Sequence, residues 1–173
     1  RVLIQSDFTF PINDKTRFEG GYNGRFSTNN TAYSLEFAED DSFILDTNIS
    51  NVLVYKENVN AVYTQYGSKV KDKFSFLLGL RMEATNITIS QLSSNEYTNS
   101  NYIGLFPTVN LGYEFSENQN LTIGYNRRIS RPRSRILDPF PSRSSATNLF
   151  QGNPNINPSY SNGVDIGYLN TVE

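Results

Sequence analysis

The chain has 173 residues, 15 basic against 17 acidic side chains and neither Cys nor His, which excludes a disulfide framework, a thiolate or imidazole metal site and a histidine general base. Hydrophobic residues make up 37% and mean hydropathy is -0.48, with no run approaching the about 18 consecutive apolar residues of a spanning helix. Catalysis and a cofactor are therefore not expected, and a pI of about 5.2 argues against a nucleic-acid partner.

Val2 to Ile12 sets Ile4, Phe8, Phe10 and Ile12 against Gln5, Asp7 and Thr9, which predicts a strand closed by a polar turn at Asn13 and Asp14. From Arg17 to Arg25 the alternation is cleaner. Phe18, Tyr22 and Phe26 share a face with Gly20 and Gly24, opposite Arg17, Glu19, Asn23 and Arg25. A long polar connection is expected from Thr28 to Asn58, with an extended patch at Tyr33, Leu35 and Phe37, before Val59 to Tyr66 resumes as strand with an ambiguous face. A charged turn from Lys69 to Lys73 leads into the longest strand, where Phe74, Phe76, Leu78, Leu80 and Met82 alternate with Ser75, Leu77, Gly79, Arg81 and Glu83. After a polar loop around Tyr97, Val109, Leu111, Tyr113 and Phe115 oppose Asn110, Gly112 and Glu114. The turn from Ser116 to Asn120 closes a hairpin onto Leu121, Ile123 and Tyr125, which alternate with Thr122, Gly124 and Asn126. Val164, Ile166 and Tyr168 against Asp165 and Gly167 make the last strand.

Short turns near residues 13, 71 and 118 thus alternate with long loops near 29–58, 91–101 and 131–159. In an outer-membrane barrel the periplasmic turns are short, the extracellular loops long, and a spanning strand takes about 9–11 residues. The expected fold is all-β, an antiparallel up-and-down meander of about seven strands, forming part of a transmembrane β-barrel over residues 1–173. Asn13, Lys71 and Asn118 should share one end, with Asp46, Tyr97 and Asn148 at the other. The apolar set should face lipid, and Arg81, Glu83, Glu114 and Asn126, with Asn110 and Asp165, should face the lumen. The outermost strands would have unpaired edges needing partners in lipid.

Between Arg127 and Arg143 stand Arg127, Arg128, Arg131, Arg133, Arg135 and Arg143 against a single acid, Asp138. Guanidinium forks suit phosphates and carboxylates, so Arg127, Arg128, Arg131, Arg133 and Arg135 are candidates for ligand or lipid contact, the alternative being pairing with acids of neighbouring strands. Arg127 continues the lipid-facing parity of Leu121, Ile123 and Tyr125 and is expected to reach headgroup phosphates. Gly152-Asn153-Pro154 and Asn157-Pro158 read as turn formers. The acidic run Glu39, Asp40 and Asp41, with Asp46 nearby, lacks the spacing of a Ca²⁺ loop and reads as a solvated loop, so no metal is expected.

Four stretches in order, VYKENVNAVYTQY, FSFLLGLRMEATNI, LFPTVNLGYEFSENQNLTIGYNRRISRPRSRILDPFP and QGNPNINPSYSNGVDIGY, resemble the barrel of TonB-dependent outer-membrane receptors, in particular the outer-membrane beta-barrel family abundant in Bacteroidetes. The resemblance spans about residues 52–170, and the first 50 more loosely. It implies about a third of a barrel of around 22 strands. It also implies a bacterial outer-membrane location, import of a solute too large or too scarce for porins, and contact with outer-membrane lipid or lipopolysaccharide. TonB would be engaged through parts not recognised in these residues, which show neither a plug domain nor a TonB box. The other reading is a soluble or surface-attached β-sheet module that holds carbohydrate or a protein partner on its aromatic-rich face.

Overall fold

The structure, a computed structural model, describes residues 1–145 and 147–171. Period-two patterning gives strands almost throughout: β1 (Val2–Asn13), β2 (Thr16–Tyr33), β3 (Glu36–Glu39), β4 (Ser42–Leu45), β5 (Asn51–Val70), β6 (Phe74–Gln91), β7 (Glu96–Ser116) and β8 (Gln119–Ser130). A single helical turn, α1 (Ser134–Leu137), then precedes β9 (Ser142–Ser145), β10 (Asn148–Phe150) and β11 (Ser159–Asn170). The 7-stranded sheet has the order β1-β2-β5-β6-β7-β8-β11, antiparallel at every step, while β3–β4 and β9–β10 are separate hairpins. This is the expected meander. The short turns after β1, β5 and β7 lie at one end, where Lys15 Nζ meets Asp72 at 2.5 Å across neighbouring turns. β1 and β11 are each paired on one side only, so the sheet is open.

Two of the turns use left-handed backbone. Lys71 and Asp72 sit at φ 50° and 57°, closed by the Lys73 N–H donating to the Val70 carbonyl at 3.3 Å. Asp40 and Asp41, at φ 46° and 64°, form the two-residue turn between β3 and β4, the left-handed geometry whose twist suits a hairpin. The acidic run is therefore a hairpin tip.

Two expected loops contract. β2, β5, β6 and β7 are 18, 20, 18 and 21 residues long, well beyond what a bilayer requires. The 91–101 loop shrinks to Leu92–Asn95, placing Tyr97 inside β7, and the 28–58 connection shrinks to residues 34–50. Polar composition suggested loops there, but the ladder continues with polar residues on its outer side. The Asn86 amide donates to Asn99 Oδ1 at 2.9 Å and Asn101 Oδ1 at 2.6 Å across it.

Register fixes the faces, because directly opposed residues of neighbouring strands point the same way. The row Phe18–Tyr66–Leu78–Val109–Tyr125–Val164 runs across six strands on what we term the outer face. Tyr22, Phe26, Phe76, Leu80, Leu111, Tyr113, Leu121, Ile123 and Ile166 share it, as expected. The parallel row Arg17–Gly67–Leu77–Asn110–Gly124–Asp165 marks the inner face, with Arg81, Glu83, Glu114 and Asn126. The ambiguous segment is resolved: Val62 and Tyr66 point outward, Val59, Ala61 and Tyr63 inward.

The outer apolar band occupies Phe74–Ala84 of β6 and Ile103–Tyr113 of β7, about the 9–11 residues of a spanning strand. Its residues are exposed, Leu80 at 47% and Ile103 at 71%, as a lipid-facing surface must be in the isolated chain. Beyond the band the pattern inverts. Asn86, Thr88 and Ser90 point outward, while Leu53, Tyr55, Ile87 and Ile89 form a buried cluster on the inner face.

Candidate functional site

That inner cluster is buried because the segment between β8 and β11 folds back over it. Leu137 of α1 is 2% exposed and packs with Leu53, Tyr55, Ile87 and Ile89, with Tyr102 beside them. The returning chain is tied to α1 by backbone bonds, Gly152 N–H to the Asp138 carbonyl at 2.7 Å and Asn153 N–H to the Ile136 carbonyl at 2.8 Å. A Cβ at Gly152 would lie 2.4 Å from the Ile136 carbonyl oxygen and 2.6 Å from that of Asp138. Close backbone approach therefore requires this glycine, whereas the expected reason was its freedom to turn; no described glycine has positive φ. Asn153 does form a turn, its Oδ1 accepting from the Asn155 N–H at 2.9 Å. At the far side, the Tyr33 hydroxyl bonds both the carbonyl and the N–H of Arg143, each at 2.9 Å.

The charged anchor is Arg131. Its Nη2 donates to Glu83 Oε2 and to Thr85 Oγ1, the latter at 3.1 Å, and Glu83 also accepts from Arg81 Nε at 2.6 Å. Arg131 Nε and Arg25 Nη2 each stand 3.8 Å from Glu57 Oε1. The result is an alternating chain, Arg81–Glu83–Arg131–Glu57–Arg25, on the inner face. Glu83 is 8% exposed, so its charge is tolerated only because both partners are in place.

The remaining arginines separate. Arg127, expected at headgroup level, lies just beyond the end of the β7–β8 ladder at Thr108–Asn126, where β8 continues paired with β11 alone. Its guanidinium lies 4.9 Å from the centre of the Tyr160 ring, which stacks 6.2 Å from that of Phe106, an inner-face residue. In the unbroken β8–β11 ladder Arg127 keeps the parity of Leu121, Ile123 and Tyr125, opposite Asn162, and beyond the end of the β7 pairing that face of the ladder meets Phe106 through Tyr160. Arg135 lies over Phe150 at 5.0 Å, Arg128 is exposed, and Arg133 sits at the rim of a cleft. Burial pushes the Asp138 carboxyl above the usual carboxylate range, partly offset by the Phe140 N–H that it accepts at 3.0 Å.

Two hollows result. A cleft of about 690 Å³ opens between β2, β5 and the folded-back segment, lined by Arg25, Tyr55, Glu57, Ile129, Arg131 and Arg133. An open groove of about 1020 Å³ lies on the inner face near the short turns, bordered by Lys15, Arg17, Lys69, Asn110 and Asp165. There Lys69 pairs with Glu114 at 2.9 Å. No group of metal-ligating side chains is present among the described residues. Sequence reading found Arg131 and Glu83 separately but not their pairing, which joins residues 48 apart through a fold-back without local signature.

An antiparallel meander with an apolar outer band, a polar inner face and short turns gathered at one end defines a wall of a membrane β-barrel. The chain matches the outer membrane protein beta-barrel family over residues 1–172 and belongs to that family. It is an outer-membrane protein. Comparison with curated proteins and with solved structures gave no match. The soluble-module reading gives way to this location.

Proposed function

We propose that the chain is part of the wall of a TonB-dependent transporter that imports a solute across the outer membrane. The carrying observation is the fold-back that packs Arg131 and Leu137 on the inner face, with Gly152 and Asn153 tied to it by backbone bonds. A segment held there narrows the lumen along the wall, which suits solute selection and gives a mere membrane anchor nothing. The open sheet agrees, since two unpaired edges in lipid need strand partners. With the short turns periplasmic, residues 131–158 enter from the extracellular end. TonB would be engaged through other parts of the transporter, and lipopolysaccharide would meet the outer face above the apolar band. Binding and passage, not catalysis, is the role.

The test is energised uptake. Cells producing the full-length protein should accumulate a solute that gene-deleted cells do not, and TonB loss or a protonophore should abolish the difference. Uptake that survives loss of TonB, or conductance in planar bilayers like that of an open porin, would overturn the reading.

A further inference from the structure

We infer that the cleft between β2, β5 and the folded-back segment is a binding site for an anionic group, a carboxylate or phosphate of the solute. This rests on the transporter reading and adds the chemical class of what is carried.

The inference comes from the charge pattern in and beside one hollow, which Arg25, Arg131 and Arg133 line with Glu57 as their acid, while Arg81 and Glu83 stand behind Arg131. The chain Arg81–Glu83–Arg131–Glu57–Arg25 already holds three cations against two anions. Arg133, on the same cleft, has no carboxylate within ion-pair distance among the described residues. Glu57 is shared at 3.8 Å by Arg25 and Arg131, beyond hydrogen-bonding reach of either, and Arg131 Nε is buried without a hydrogen-bond partner. The cations therefore exceed the acids, and the one acid between Arg25 and Arg131 leaves fork donors unused. Tyr55, 5% exposed, forms part of the wall, and a low-dielectric wall strengthens a charge-assisted bond relative to open water. The size of the hollow, about 690 Å³, suits a small solute. Being on the inner face, the site is out of reach of lipid headgroups, which distinguishes it from a rim contact with lipopolysaccharide. Arg25 and Arg133 would fork the anion, Arg131 would orient them while staying bound to Glu83, and Glu57 would weaken binding by repulsion.

The experiment uses the full-length protein purified in detergent, titrated calorimetrically with citrate and, separately, with inorganic phosphate at low and high salt. Saturable binding of at least one anion is expected. It should weaken about tenfold or more in the Arg25→Gln/Arg133→Gln double variant and stay unchanged in Arg128→Gln. Glu57→Gln should bind the anion severalfold more tightly, which loss of a merely structural carboxylate would not produce. Heat-modifiable electrophoretic migration checks that each variant is folded. Absence of saturable binding, equal loss in Arg128→Gln, or weaker binding in Glu57→Gln would overturn the site. Binding needs no TonB, so an anion site in a protein that fails the uptake test, or energised uptake without anion binding, separates the two readings.

Discussion

The two halves of β5, β6 and β7 obey the same alternation with opposite solvents. Near the short turns, Leu78, Leu80 and Leu111 point outward to lipid while Asn110 and Glu114 line the inside. Farther along the same strands Asn86, Asn99 and Asn101 point outward to water, and Tyr55, Ile87 and Ile89 point inward beneath Leu137. Strand geometry is unchanged between them. What differs is which face is denied water, by the bilayer in one half and by the folded-back segment in the other.

Replacing Arg131 with Ala should have the largest effect on this contrast. It leaves Glu83 buried with Arg81 alone, a loss of about 3–5 kcal/mol for a broken buried pair. Added protease should then cut full-length protein in intact cells between residues 133 and 158, where the wild type resists; continued resistance would show that packing alone holds the segment. Leu137→Ala should cost about 2–5 kcal/mol through the cavity left among Leu53, Tyr55, Ile87 and Ile89. Hydrogen exchange at the Gly152 and Asn153 amides should accelerate while the lower strands stay protected, and uniform acceleration would refute the division into halves.

The lower half is tested from outside. Leu80→Arg, within the apolar band, should cost about 2–4 kcal/mol in refolding into vesicles, whereas Asn101→Arg, above it, should cost about 0–1 kcal/mol. Equal penalties would move the band boundary. A smaller effect concerns pH. Burial raises the Asp138 pKa in the packed state, so the protonated form is favoured there: packing is strongest below the unfolded carboxylate pKa and weakens as pH rises through the raised value. Exchange of the Phe140 amide should follow that course, and Asp138→Asn, which keeps the Oδ1 acceptor, should flatten it. Arg128→Ala, at an exposed side chain, should change stability by no more than about 0.5 kcal/mol.

The sequence by itself determined the meander, the positions of the short turns and the assignment of faces within the band. All three follow from local rules: period-two alternation and turn chemistry act between residues close in the chain, and lipid demands an unbroken apolar face. Only the tertiary structure decided where strands end beyond the band, because polar residues flanking a strand look the same whether they extend it into water or leave it as a loop. It also decided the site. Arg131 with Glu83, Leu137 with Ile87 and Tyr33 with Arg143 are partners across long stretches of chain, and nothing in the residues near each announces the other. The stretch after β8 was legible as arginine-rich and turn-prone, but the inward packing of Leu137 depends on an apolar patch that β5 and β6 create only once paired in register.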